Sequence, residues 1–98
     1  MSQASLQTLA AGQVAVRGEL TFYSVPELLR DSKEVFTRGQ SIVIDLAGVT
    51  RSDSAGIALV LEWLRSARRQ RAELRFVNVP EQMQALARVG GVDALLAW

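Results

Sequence analysis

Apolar residues recur along the chain at two spacings. Val14 and Val16 alternate with Ala15 and Arg17, and Ile42, Val43 and Ile44 stand together, whereas Ile57, Val60, Leu61 and Leu64 return three and four residues apart. Two-residue alternation and short β-branched runs predict strands, and the wider spacing predicts a helix with one buried face. The stretch Ser41–Leu64 holds a strand, a polar loop and a helix in succession, and the rest of the chain is organised around it. Ile42–Ile44 predicts a central strand buried on both faces and ending near Leu46, with Asp45 as the exception. Between Ala47 and Asp53 the side chains become small and polar, and Gly48 permits a bend, so a loop is expected there. It leads to a helix capped by Asp53 or Ser52, whose side-chain oxygen accepts from a free first-turn amide. Ala58, Glu62, Arg65 and Arg69 fall opposite the buried arc. Leu59 lies outside it and Trp63 near its edge, an apolar pair that predicts a contact surface for another protein.

The flanking pattern supplies the other elements. Ser5–Ala10 and Gln13–Arg17 predict two strands joined at Gly12 as a hairpin. Gly18–Ser24 is a connection, and Pro26 suits the first turn of a helix capped near Ser24, with Leu28, Leu29, Val35 and Phe36 buried and Gly39 as its stop. Phe22 and Tyr23 are expected in core and rim packing. Leu74–Val79 predicts a second apolar strand, so that Ser41–Val79 has the length of a right-handed strand, helix and parallel strand crossover. Pro80 opens a further helix burying Met83, Leu86 and Ala87 and ending at Gly90-Gly91, and Val92–Leu96 forms a last short element. Trp98 is open to either burial or a partner.

Composition narrows the chemistry. Ninety-eight residues predict one domain, 1–98, able to bury a core without staples. The chain has neither cysteine nor histidine, which removes disulfides, thiolate nucleophiles, the usual zinc sites and histidine-based triads. The net charge of +1 creates no global field toward nucleic acid or an anionic membrane. Arg65, Arg68, Arg69, Arg71 and Arg75 are interleaved with Glu62 and Glu73 and carry no aromatic residues for base stacking, so a solvated face or an acidic protein partner is expected and nucleic acid is not. No segment approaches the roughly 20 apolar residues of a membrane helix, and the amino terminus lacks a signal pattern, so the chain is expected in the cytoplasm. Ser54 has no histidine base, Lys33 sits in another helix, and G-x-S-x-G and G-x-x-x-x-G-K are absent. Asp45 and Asp53 make a thin cation site. A regulatory or binding module without catalysis, metal or cofactor is expected.

The order apolar strand, Asp45-Leu46-x-x-Val49, short connection, Asp53-Ser54-Ala55-Gly56 and apolar helix resembles the STAS domain, and the resemblance runs from Gly18-Glu19-Leu20 to Gly90-Gly91-Val92. It implies an α/β fold with a mixed, mostly parallel sheet of about four strands and helices packed on it. The STAS family includes bacterial anti-sigma factor antagonists, regulatory tails of sulfate transporters and the MlaB-type subunit of a phospholipid-transporting ABC complex. In the antagonists the hydroxyl residue after the Asp is phosphorylated by a partner kinase, which implies Ser54 as the phosphosite here. Thr21 departs from the acidic residue common after G-E-L/I. The form D-L-A-G-V-T-R-S-D-S-A-G-I-A-L, with Arg51, Trp63 and the G-V-D-A-L-L ending, is most similar to the MlaB type. That resemblance implies a cytoplasmic subunit that binds and stabilises or activates the ABC ATPase and touches the membrane only through partner subunits. The implied contact is Arg51, Asp53, Ser54, Gly56, Leu59 and Trp63. The alternative is an antagonist that binds an anti-sigma factor kinase and is released on phosphorylation of Ser54. A helix amino terminus receives a phosphate readily, and small residues such as Ala55 and Gly56 let another chain approach.

Overall fold

The computed structural model describes residues 4–96 and Trp98. Residues 1–3 and Ala97 of the expected domain 1–98 lie outside the described residues. Strands β1 (Ser5–Ala10) and β2 (Gln13–Leu20) form an antiparallel hairpin. Its bend places Gly12 at a φ of 75°, a conformation open to glycine at no steric cost. Helix α1 (Val25–Asp31) leads to β3 (Ser41–Ser52), helix α2 (Ser54–Arg69) to β4 (Glu73–Val77), and α3 (Glu81–Val89) and α4 (Asp93–Leu96) finish the described order. The sheet runs β1-β2-β3-β4, with β2 parallel to β3 and β3 parallel to β4.

Both parallel connections step across the sheet in the same direction. With the right hand that such connections take, α1 and α2 fall on one face. The register matches this layering: Leu6 pairs with Val16, Val14 with Ile44, and Ile44 with Phe76, so one face is apolar. The other face carries Gln7, Gln13, Val43, Asp45 and Arg75. β3 is therefore a central strand buried on one face only, Val43 being half-buried while Ile42, Ile44 and Leu46 are closed off.

Beneath the helices the core gathers around Trp63, which is fully buried. Its indole Nε1 donates to Ser32 Oγ at 2.8 Å, and Ser32 Oγ donates in turn to the Leu29 carbonyl at 2.9 Å. A buried N–H is thus satisfied by a buried hydroxyl, as the cost of leaving either unpaired demands.

Five expectations are corrected here. Ala47–Ser52 is strand, not loop: β3 bulges twice, carrying one extra residue each time, and so stays paired with β2 as far as Ser52 beside Leu20. Helix α1 ends at Asp31, so Val35 and Phe36 pack from the following turns. Leu59 and Trp63 are core residues, 1% and 0% exposed, and offer no surface to a partner; α1 covers the side of α2 that a sheet alone would leave open. Gly56 is buried as well, for the reason given below. Phe22 and Tyr23 lie outside the core, 69% and 94% exposed. Trp98 packs edge-on against Phe76, with ring centroids 5.8 Å apart.

Candidate functional site

The helix α2 begins where β2 and β3 end side by side. Leu20 pairs with Ser52 at that end, and the Asp53 N–H donates to the Leu20 carbonyl at 3.0 Å. This bond turns the chain out of the sheet with Asp53 extended, and Ser54 opens the helix.

Asp53 carries the local architecture. One carboxylate oxygen, Oδ1, accepts from the Ala55 N–H at 2.8 Å and caps α2; the other, Oδ2, accepts from the Phe22 N–H at 3.2 Å. A single side chain therefore ties the helix start to the turn that follows β2. An anionic cap also suits the positive end of the helix dipole.

Ser52, 2% exposed, is held from three sides. Its hydroxyl donates to the Asp53 carbonyl at 2.8 Å. Gln82 of α3 grips its backbone, accepting from the Ser52 N–H at 2.9 Å and donating to its carbonyl at 2.7 Å. Gly56 sits directly over this knot. A Cβ there would collide with Ser52 Oγ and lie 2.9 Å from Leu20 Cβ. The glycine thus lets the helix approach its own sheet, and partner approach is not what requires it.

Ser54 is exposed on the first turn of α2, beside the half-buried Asp53 and Ala55. Arg51 is exposed one residue before the end of β3 and forms an ion pair with Glu19 at 3.6 Å. Of the six residues expected at a contact surface, Arg51, Asp53 and Ser54 thus share one accessible rim, while Gly56, Leu59 and Trp63 are internal. Two residues not expected there join the rim: Phe22, through its bond to Asp53, and Tyr23 beside it. The turn chemistry of Thr21 and Ser24 is the sequence signal for them, since hydroxyls at that spacing lift the intervening residues outward. Gln82, thirty residues from Ser52, leaves no local signal.

Elsewhere, Asp45 accepts from the Ala47 N–H at 2.9 Å and from Asn78 Nδ2 at 3.1 Å. These bonds, the backbone one first, hold its carboxyl below the ordinary value. Among the described residues no group of three or more acidic side chains converges as a metal site. Arg65 and Arg69 are both paired with Glu62 at 3.4 Å. No helix among the described residues is long and apolar enough to cross a membrane.

Comparison with solved structures finds the same architecture in the unphosphorylated anti-sigma factor antagonist SpoIIAA, with a TM-score of 0.70 and 18% identity over 93% of this chain and 83% of that one. The phosphorylated form of SpoIIAA, a Bacillus cell fate determinant, aligns with a TM-score of 0.65 at 19% identity over 93% and 86%. The murine solute carrier 26 family member A9 anion transporter, in its inward-facing state, matches with a TM-score of 0.62 at 13% identity over 89% of this chain and 18% of that one. No curated protein sequence matches the chain. The family described as "Mlab, STAS domain" matches residues 4–97. With that match spanning nearly its whole length and a mixed four-stranded sheet of the SpoIIAA kind, the chain belongs to the STAS domain family.

Proposed function

We propose that this chain is a non-catalytic accessory subunit that docks on the ATPase of a phospholipid-transporting ABC complex and stabilises or activates it. The observation that carries the reading is the exposed, neutral Ser54 hydroxyl at the start of a 16-residue helix whose first turn is locked to the sheet. Such a rim is preorganised, so binding costs little ordering entropy. Ser54 is the centre of the contact, with Asp53 and Arg51 beside it. The family's description and the resemblance of the Ser54 segment to the MlaB type favour the ATPase as partner. The subunit works in the cytoplasm and reaches the membrane through its partners. In this role it takes part in keeping outer-membrane lipids asymmetric.

A second reading is supported by the likeness to SpoIIAA, which has been solved with and without phosphate. There Ser54 is a phosphosite, and the unmodified form binds an anti-sigma factor kinase. Phosphate would add about −1.5 to −2 charges next to the Asp53 carboxylate and break a contact built on a neutral hydroxyl.

Affinity purification of the tagged protein from its host in mild detergent, with mass spectrometry, separates the two. Recovery of an ABC ATPase with its permease supports the transporter subunit. Recovery of a serine kinase, with Ser54 phosphorylated, supports the antagonist and overturns the first reading.

A further inference from the structure

We infer that Phe22 and Tyr23 form an aromatic anchor that seats in an apolar cleft of the partner protein, a cleft that also carries an arginine or lysine. The inference rests on the reading of the Ser54 rim as a docking surface. Large aromatic side chains at 69% and 94% exposure are costly to leave in water. Here they are held there. Asp53 Oδ2 accepts from the Phe22 N–H, Thr21 Oγ1 accepts from the Tyr23 N–H at 3.2 Å, and Ser24 Oγ accepts from the Thr21 N–H at 2.9 Å while donating to the Glu19 carbonyl at 2.8 Å. The rings lie 6.2 Å apart and tilted by 32°, so they present one joint surface.

With the backbone of the turn fixed by these bonds, each ring has only two side-chain torsions to order on binding, the property that makes aromatic residues frequent hot spots. Its surroundings define the chemistry of the occupant. Asp53 and Glu27, the latter exposed in the first turn of α1, have no cationic partner among the described residues, and Arg51 is already paired with Glu19. An acidic rim repels an anionic bilayer and attracts a basic group, which gains further by lying over the ring faces. A protein cleft therefore fits better than a lipid surface. The Asp53 bond makes the anchor continuous with Ser54, since the same carboxylate positions the turn and caps the helix.

The test titrates the purified ATPase subunit of the host's phospholipid-transporting ABC complex with wild type, Phe22→Ala/Tyr23→Ala, Tyr23→Ala, Phe22→Tyr/Tyr23→Phe and Ser54→Glu, with melting temperatures measured in parallel. The double alanine variant is expected to bind at least ~30-fold more weakly, Tyr23→Ala about 10-fold more weakly, and the aromatic swap within about 3-fold of wild type, as for truncation of buried aromatic anchors. Melting temperatures stay level because both rings are exposed, and wild-type binding weakens as salt is raised. Wild-type affinity in the double alanine variant, with Ser54→Glu impaired, overturns the anchor and leaves the Ser54 rim standing. Wild-type affinity in both overturns the docking reading and the anchor together. Binding of wild type to phosphatidylethanolamine–phosphatidylglycerol vesicles that the double variant loses, with ATPase binding intact, assigns the rings to a membrane and also overturns the inference.

Discussion

Replacing Gly56 by alanine tests how closely α2 rests on the sheet. The added methyl group meets Ser52 Oγ and lies 2.9 Å from Leu20 Cβ and 3.2 Å from Ser52 Cβ. Neither neighbour yields easily. Leu20 is 0% exposed, and Ser52 is fixed by its bond to the Asp53 carbonyl and by both bonds from Gln82. Overpacking of this kind costs about 1–3 kcal/mol, usually absorbed by backbone shifts. Alanine regains about 1 kcal/mol through its higher helix propensity. With the contact at backbone-anchored atoms the upper end applies, and the net loss is ~2 kcal/mol. For a domain of this size that corresponds to a fall in melting temperature of about 8–16 °C. Urea titration and thermal melts measure it. Ser52→Ala in the Gly56→Ala background removes the colliding oxygen, so the double variant should lose less than the two single losses added, by ~1 kcal/mol of coupling. A Gly56→Ala protein as stable as wild type, or strictly additive losses, would refute the close approach. Lost ATPase binding with unchanged stability would return Gly56 to the partner's surface.

The core position of Trp63 makes Trp63→Phe a stability change: losing the bond to Ser32 and part of the ring volume should cost about 2 kcal/mol in urea while leaving partner affinity as it is, and the reverse pattern contradicts the burial. Asp45, with its folded pKa lowered from the ordinary 3.8, contributes stability that is present above that value and lost as pH falls through the lower folded value. Asn78→Ala removes one of its two bonds and should flatten the acid side of the urea midpoint against pH; an unchanged acid limb assigns it to other carboxylates.

How much of this was legible in sequence differs from element to element. The hairpin at Gly12, a cap at Asp53 or Ser52 and the Pro80 helix follow from local chemistry; the structure has the hairpin, settles the cap on Asp53, and buries Met83 and Ala87 with Leu86 half-buried. Local patterns mislead where a neighbour distant in sequence decides. Gly48, Thr50 and Ser52 read as loop, yet β2 supplies ladder partners for Gly48, Val49, Arg51 and Ser52, with Thr50 at a bulge between them. On α2, apolar residues at 57, 59, 60, 61, 63 and 64 cover most of the circumference, so periodicity alone does not locate the buried centre. The sheet, α1 and α3 turn it toward Gly56, Leu59, Val60, Trp63 and Ala67. Leu61 and Leu64, expected at that centre, are half-buried. For the site, the motif located Asp53 and Ser54, while Phe22 and Tyr23 were hidden by their hydrophobicity. Aromatic residues after a strand suggest packing, and only the bonds through Thr21, Ser24 and Asp53 turn them outward.

The docking account is tested most directly by calorimetric titration of the ABC ATPase subunit with wild type, Ser54→Ala and Ser54→Glu. Loss of the hydroxyl removes one neutral hydrogen bond, about 0.5–1.5 kcal/mol, so Ser54→Ala should bind within roughly tenfold of wild type. Ser54→Glu buries an unpaired charge beside Asp53 and should lose binding by about 3–5 kcal/mol, beyond a hundredfold. Equal affinity of Ser54→Glu and wild type would remove Ser54 from the interface and contradict the account.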